Sequence, residues 1–227
     1  MGQTDWERVC WDSLGFFGKI TASVSHELKN HLSTIKEQTG LISDLMAMAS
    51  EGRPLDPGRI GTLVQNITRR IGQTDEVIKR LNRFAHSTDQ PSQEADFNEI
   101  VESIVALSQR LASVKGVELA ISLAPEPILV ETSPFLLRQL VFLCLSRLIE
   151  LAGKGGRVEV ATEPADEDKA GCRFFSQTAG QETGPALPET WPAKSLAELL
   201  GAGLKTGESR GEIRLEIPRR LGQPLVK

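Results

Sequence analysis

The sequence predicts an α+β protein, a long helical hairpin that dimerises into a four-helix bundle, followed by an α/β sandwich. Three observations predict it. Apolar residues recur at spacings of three and four over two long stretches, parted by a short break rich in Gly and Pro. Beyond a polar linker the pattern changes to short alternating runs set among helical ones. Aromatic residues are 5% of the chain and tyrosine is absent, so Leu, Ile, Val and Ala must build the core. The 227 residues suffice for two small domains, placed at 1–90 and 91–227.

The first stretch runs from about Trp11 to Ser50. Its stripe is Phe17, Ile20, Val24, Leu28, Leu32, Ile35, Ile42 and Leu45, with Thr39 in register. At ~1.5 Å per residue this helix is roughly 60 Å long. EGRPLDPGR then supplies Gly52, Pro54, Pro57 and Gly58 for a turn. Over 58–88 the periodicity is cleanest: Ile60, Leu63, Val64, Ile67, Ile71, Thr74, Val77, Ile78, Leu81 and Phe84 alternate with charged residues in a near-heptad pattern. One hairpin cannot bury such a stripe, so two copies complete a bundle. HSTDQPSQEADF marks a linker. After it, 98–113 reads as a helix, 117–123 as a strand, 134–152 as a strongly apolar helix and 157–162 as a strand. Strands are also expected at 172–176 and 212–217, and the Pro- and Gly-rich stretch 163–194 as a loop.

The balance of 26 basic and 30 acidic side chains gives a net charge of −4. Neither half is basic, which argues against a nucleic-acid partner. No apolar run is long enough to span a membrane, and MGQTDWERVC lacks an apolar signal core. Cys10, Cys144 and Cys172 are odd in number and form no CxxC, so they read as packing or incidental thiols of a reduced, cytoplasmic protein without a zinc site. GKGG (153–156) follows a helix and precedes a strand, the reverse of P-loop order, and reads as a helix-ending turn.

The motif that points to chemistry is SHELKN, 25–30, inside the first helix. His26 lies about 200° from the stripe at ~100° per residue, so it faces solvent. Position alone makes it a surface histidine. Its company adds to that: Glu27 is adjacent, and Lys29 and Asn30 share its helical face. VSHELKN on the first helix of a hairpin resembles the H-box of bacterial two-component histidine kinases. The resemblance extends from about Phe16 to Arg219. DFNEIVESIVALSQRLASVKGVELAISL resembles the entry helix and strand of the kinase ATP-binding domain, ETSPFLLRQLVFLCLSRLIELAGKGGRVEV its N-box stretch, and GEIRLEIPR its last strand.

This resemblance implies that His26 is the phosphoacceptor. Glu27 would accept a hydrogen bond from the other ring nitrogen, and Asn30 would orient water for dephosphorylation of a response regulator. Ser25, Lys29 and Ser33 would shape the docking site for a receiver domain. His31 stands where the family carries a helix-bending proline, so the helix should run straighter, and His31 itself reads as a spacer beside the stripe. In the nucleotide half, Leu143 and Arg147 fall on the N-box asparagine positions, and arginine has no acceptor for a metal. SQTAGQETG replaces a DxGxG box, and LLGAGLKTG is at best a remnant of the glycine-rich box. On these departures the expectation is a degenerate ATP-binding fold that takes no ATP and no cofactor, with Mg²⁺ carried by the partner receiver domain. The function expected is that of a homodimeric histidine phosphotransferase, moving a phosphoryl group between receiver aspartates through His26. A pseudokinase scaffold, a response-regulator phosphatase and an ATP-dependent kinase with an atypical nucleotide site are the alternatives.

Overall fold

The computed structural model describes residues 3–166, 168–177, 191–206 and 211–220. It divides into two compact units, one of Thr21–Arg83 and one of Met1–Ile20 with Phe84–Lys227.

The first unit is the body of a hairpin made by α1 (Gln3–Ser50) and α2 (Pro57–Ala85). Gly52 at φ 89° lets the chain leave α1, where a side chain would be strained. Asp56 caps α2, its Oδ1 accepting from the N–H of Gly58 at 2.9 Å and of Arg59 at 3.2 Å, and Pro57 begins the first turn without needing a donor. Ser23, Val24 and His31 on α1 are buried, as are Leu63 and Val77 on α2. The expected stripe is therefore split. Leu32, placed in it by periodicity, is 60% exposed, and Ile71 is 54% exposed. Val64, Ile71 and Ile78, seven residues apart, form a separate exposed row on α2. One helix partner covers only one seam, which leaves the second apolar row uncovered within a single chain.

The second unit holds a five-stranded mixed sheet. Its elements are β1 (Gln93–Asp96), α3 (Phe97–Lys115), β2 (Glu118–Ser122), β3 (Leu129–Thr132), α4 (Pro134–Ala152), β4 (Arg157–Pro164), β5 (Lys169–Gln177), α5 (Pro192–Leu199), β6 (Gly203–Thr206) and β7 (Glu212–Pro218). The strand order is β2-β4-β5-β7-β6, with β2 and β4 parallel and the remaining neighbours antiparallel, while β1 and β3 pair separately. Along β4, Val158, Val160 and Thr162 are buried and alternate with more exposed residues. Helices α3 and α4 cover that side of the sheet. The open face carries ion pairs instead, among them Arg157–Glu118 at 2.9 Å and Lys205–Glu216 at 3.2 Å, as one solvated face of an α+β sheet should.

Elements β1, β3, α5 and β6 correct the sequence reading. Four-residue strands and an eight-residue helix are too short to show a period, and pairing decides them. Part of the stretch expected as a loop at 163–194 is regular: β4 reaches Pro164, β5 begins at Lys169 and α5 at Pro192. Residues 167 and 178–190 of it lie outside the described residues. The GKGG turn has the expected role. It ends α4, and Gly156 is required because a Cβ there would collide with the carbonyl of Ala152.

A polar tie locks the segment between β2 and β3. The Thr162 hydroxyl donates to Asn98 Oδ1 at 2.6 Å and accepts from the Ala124 N–H at 2.9 Å. Asn98 Nδ2 donates to the carbonyls of Ala124 and Glu126 at 3.1 and 3.0 Å. Thr162→Val strips both roles from a buried hydroxyl, and urea unfolding should show a loss of about 1–3 kcal/mol.

Aromatic packing draws the hydrophobic residues of the same unit together. Phe16, Phe17, Phe84, Phe135 and Phe142 are five of the chain's eight phenylalanines. Phe16 sits 5.4 Å from Phe84 edge-on, 5.6 Å from Phe135 and 5.0 Å from Phe142, and Phe17 stacks on Phe84 at 5.4 Å. Among the cysteines, Cys144 and Cys172 are buried, and desolvation pushes both thiols up. Cys10 is exposed, an incidental thiol rather than a packing one. Native-state alkylation followed by mass spectrometry should therefore label Cys10 alone.

Candidate functional site

Helix α1 runs unbroken through the SHELKN motif. His31 contributes the backbone N–H that a proline would lack, so the hydrogen-bond ladder has no gap there. His26 is exposed, and so are Ser25, Lys29, Asn30 and Ser33, whereas Glu27 is half-buried. Thr34 Oγ1 donates to the carbonyl of Asn30 at 3.1 Å, a local bond within the helix. The exposed imidazole therefore stands next to a carboxylate that leans toward the hairpin interior.

On that interior side lies an open cleft of about 500 Å³. Glu27 and His31 line it from α1, and Arg70, Gly72, Gln73, Glu76, Val77 and Arg80 from α2. His31 is 8% exposed, more enclosed than a spacer beside the stripe would be. Its Nδ1 lies 3.2 Å from Thr74 Oγ1. The Thr74 hydroxyl proton is committed to the carbonyl of Arg70 at 2.8 Å. Thr74 can then only accept from the ring, which places the imidazole proton on Nδ1 and leaves Nε2 as the ring's free acceptor. The α2 residues of this cleft escape a reading of the sequence. One signal is present: Thr74 occupies an apolar position of the stripe, opposite a histidine of α1.

In the other unit Leu143 and Arg147 are half-buried on α4, and Arg147 Nε is buried without a hydrogen-bond partner. Neither side chain offers an acceptor that could ligate a metal ion. Gln177 ends β5, and residues 178–184 of SQTAGQETG lie outside the described residues. Residues 199–206 of LLGAGLKTG form the end of α5, a turn and β6. Among the described residues no cluster of three or more His, Cys, Asp or Glu side chains could hold a metal ion. Nor is any helix among the described residues long and apolar enough to cross a membrane.

No protein-family model matches the sequence. The chain is similar to the sensor histidine kinase ZraS of Klebsiella oxytoca, with 22% identity over 158 residues, 70% of this chain and 32% of that protein. It thus spans about a third of the length of the curated relative it matches. Among solved structures, a histidine kinase from Burkholderia phymatum STM815 superposes with a TM-score of 0.50 and 13% identity, over 90% of this chain and 98% of that one. Histidine kinase ThkA, solved in complex with the response regulator protein TrrA, matches with a TM-score of 0.46 and 18% identity, over 98% of this chain and 65% of that one.

The chain is thus similar in sequence and in fold to two-component histidine kinases. That likeness corrects one expectation. The altered motifs predict a sandwich that takes no ATP, and against that expectation stands the fold shared with the Burkholderia phymatum histidine kinase over 90% of this chain.

Proposed function

We propose that this histidine-kinase-like chain is a phosphotransfer protein in which His26 carries the phosphoryl group and exchanges it with an aspartate of a response-regulator receiver domain. The observation that carries the reading is the exposed His26 on an unbroken helix, with Glu27 at its side. The unprotonated ring nitrogen of His26 attacks phosphorus while the bond from phosphorus to the aspartyl oxygen breaks, returning a carboxylate to the receiver. Glu27 accepts the hydrogen bond of the other ring nitrogen and offsets the positive charge that grows there. Positioning and counter-charge are most of what phosphoryl transfer requires. Ser25, Lys29 and Ser33, all exposed around His26, are proposed to meet the receiver. Asn30 is proposed to orient water when the receiver is dephosphorylated.

A second reading, ATP-dependent autophosphorylation of His26, is favoured by the kinase fold of the sandwich. One experiment separates the two. The protein is incubated with radiolabelled ATP and Mg²⁺, and separately with a labelled phospho-receiver. Label on His26 from the receiver supports the phosphotransferase; label from ATP alone selects the kinase; label from neither sinks both. Glu27→Ala should slow transfer by about 10²–10⁴-fold, measured by rapid quench, because an acid–base partner contributes that much.

The assembly proposed is a homodimer whose two hairpins meet along the exposed row Val64, Ile71 and Ile78. Ile71→Glu should convert the dimer to monomer in light scattering while the helix content by circular dichroism is retained. The residue is 54% exposed in the single chain, so the charge disturbs the contact between copies rather than the hairpin's own seam.

A further inference from the structure

We infer that His31 is a positioning residue of the phosphotransfer site, whose protonation withdraws Glu27 from His26. The inference rests on the reading of His26 as the phosphoacceptor, and deepens it by naming a control built into the same hairpin.

Three observations lead to it. The first is the fixed tautomer: with Thr74 taking the Nδ1–H, neutral His31 keeps an acceptor, Nε2. An acceptor cannot hold a carboxylate, so neutral His31 leaves Glu27 free to serve His26. Once protonated, Nε2 becomes a donor on a ring that lines a cleft shared with Glu27 and Glu76 as well as Arg70 and Arg80. The second is sequence spacing. Glu27 and His31 are four residues apart on one face of α1, within reach of each other. The third is which carboxylate is available. The charged groups facing His31 are Glu27 from its own helix and Arg70, Glu76 and Arg80 from α2. Glu76 is engaged by Lys79 Nζ at 3.1 Å. Glu27 makes no ion pair among the described residues, with either arginine or any other cation. The imidazolium of His31 and the N–H of His26 therefore compete for one carboxylate. Acidification tips that competition to His31, and His26 loses the group that steadies its charge. The switch adds to the loss that His26 suffers when its own nucleophilic nitrogen is protonated.

The test compares wild type with His31→Asn, whose amide nitrogen can stand where Nδ1 does and keep the bond to Thr74 without titrating. Transfer from a phosphorylated receiver is timed from about pH 8 to pH 5, where imidazoles titrate. The wild-type rate should fall more steeply on acidification than that of the variant, so the variant-to-wild-type ratio rises as pH falls, up to the ~10²–10⁴-fold that Glu27 contributes. Carbon NMR of the unphosphorylated wild-type protein should show the Glu27 carboxyl signal following His31 through its titration, a coupling lost in the variant. Profiles that superimpose after scaling, with a Glu27 signal indifferent to His31, overturn the inference. Should no phosphohistidine form under any condition, the reading of His26 fails, and the NMR coupling still decides the role of His31.

Discussion

His26→Gln should abolish acid-labile phosphate on the chain, whichever donor is used, while leaving its melting behaviour nearly unchanged. The first half follows from chemistry. Glutamine offers no nucleophilic nitrogen, and no neighbour on the exposed face of α1 can replace one, since Ser25, Lys29, Asn30 and Ser33 form no activated pair among the described residues. His31 cannot substitute, because at 8% exposure it is enclosed by the hairpin and out of reach of a donor. The second half follows from exposure. An exposed side chain on a helix contributes little packing, so its replacement should change stability by no more than about 0.5 kcal/mol. Phosphoamino-acid analysis and calorimetry on the same preparation check both halves. Residual acid-labile phosphate in the variant removes His26 from the mechanism. A loss of several kcal/mol would show instead that the side chain packs.

Phe84→Ala should cost about 3–5 kcal/mol in the unit formed by Met1–Ile20 and Phe84–Lys227, the range for truncating a fully buried phenylalanine. Phe84 is 1% exposed and touches Phe16, Phe17 and Phe135. Removing its ring deletes the centre of the aromatic group and breaks three ring pairs, each worth ~0.5–1.5 kcal/mol beyond the area it buries. Urea titration followed by fluorescence of the chain's three tryptophans, Trp6, Trp11 and Trp191, all of which belong to that unit, gives the readout. Phe84→Leu should recover more than half of the loss, because it refills most of the cavity without restoring edge-to-face geometry. A cost below 1 kcal/mol for the alanine variant would mean that the group collapses freely and does not hold the unit together.

Much of the molecule is legible in its residues. The apolar period of α2 specifies a long second helix, and the run from Pro134 to Ala152 coincides with α4. The alternation of EIRLEI is the pattern of β7, whose Ile213, Leu215 and Ile217 are buried. The exposure of His26 can be read from its phase on α1, as angular position depends only on the turn of the helix. The resemblance in the SHELKN motif points to the histidine kinases, to which the chain proves similar. In the second half the altered motifs point away from ATP, whereas the fold is shared with a histidine kinase.

Read along the chain, the residues specify which faces of the helices are apolar, where turns break them and which polar residues ride together. They do not say which of two apolar rows on the hairpin is covered. Packing settles that, burying Leu63 and Val77 while Ile71 is left exposed. Packing also turns His31 inward onto Thr74 and opens a cleft beside Glu27, and pairing makes strands of β1 with β3 and of β6 with β7. One cause is common to all of these. A helical period names a direction from the axis but not the neighbour that will stand there, and a four-residue strand has no stability until another strand supplies its hydrogen bonds.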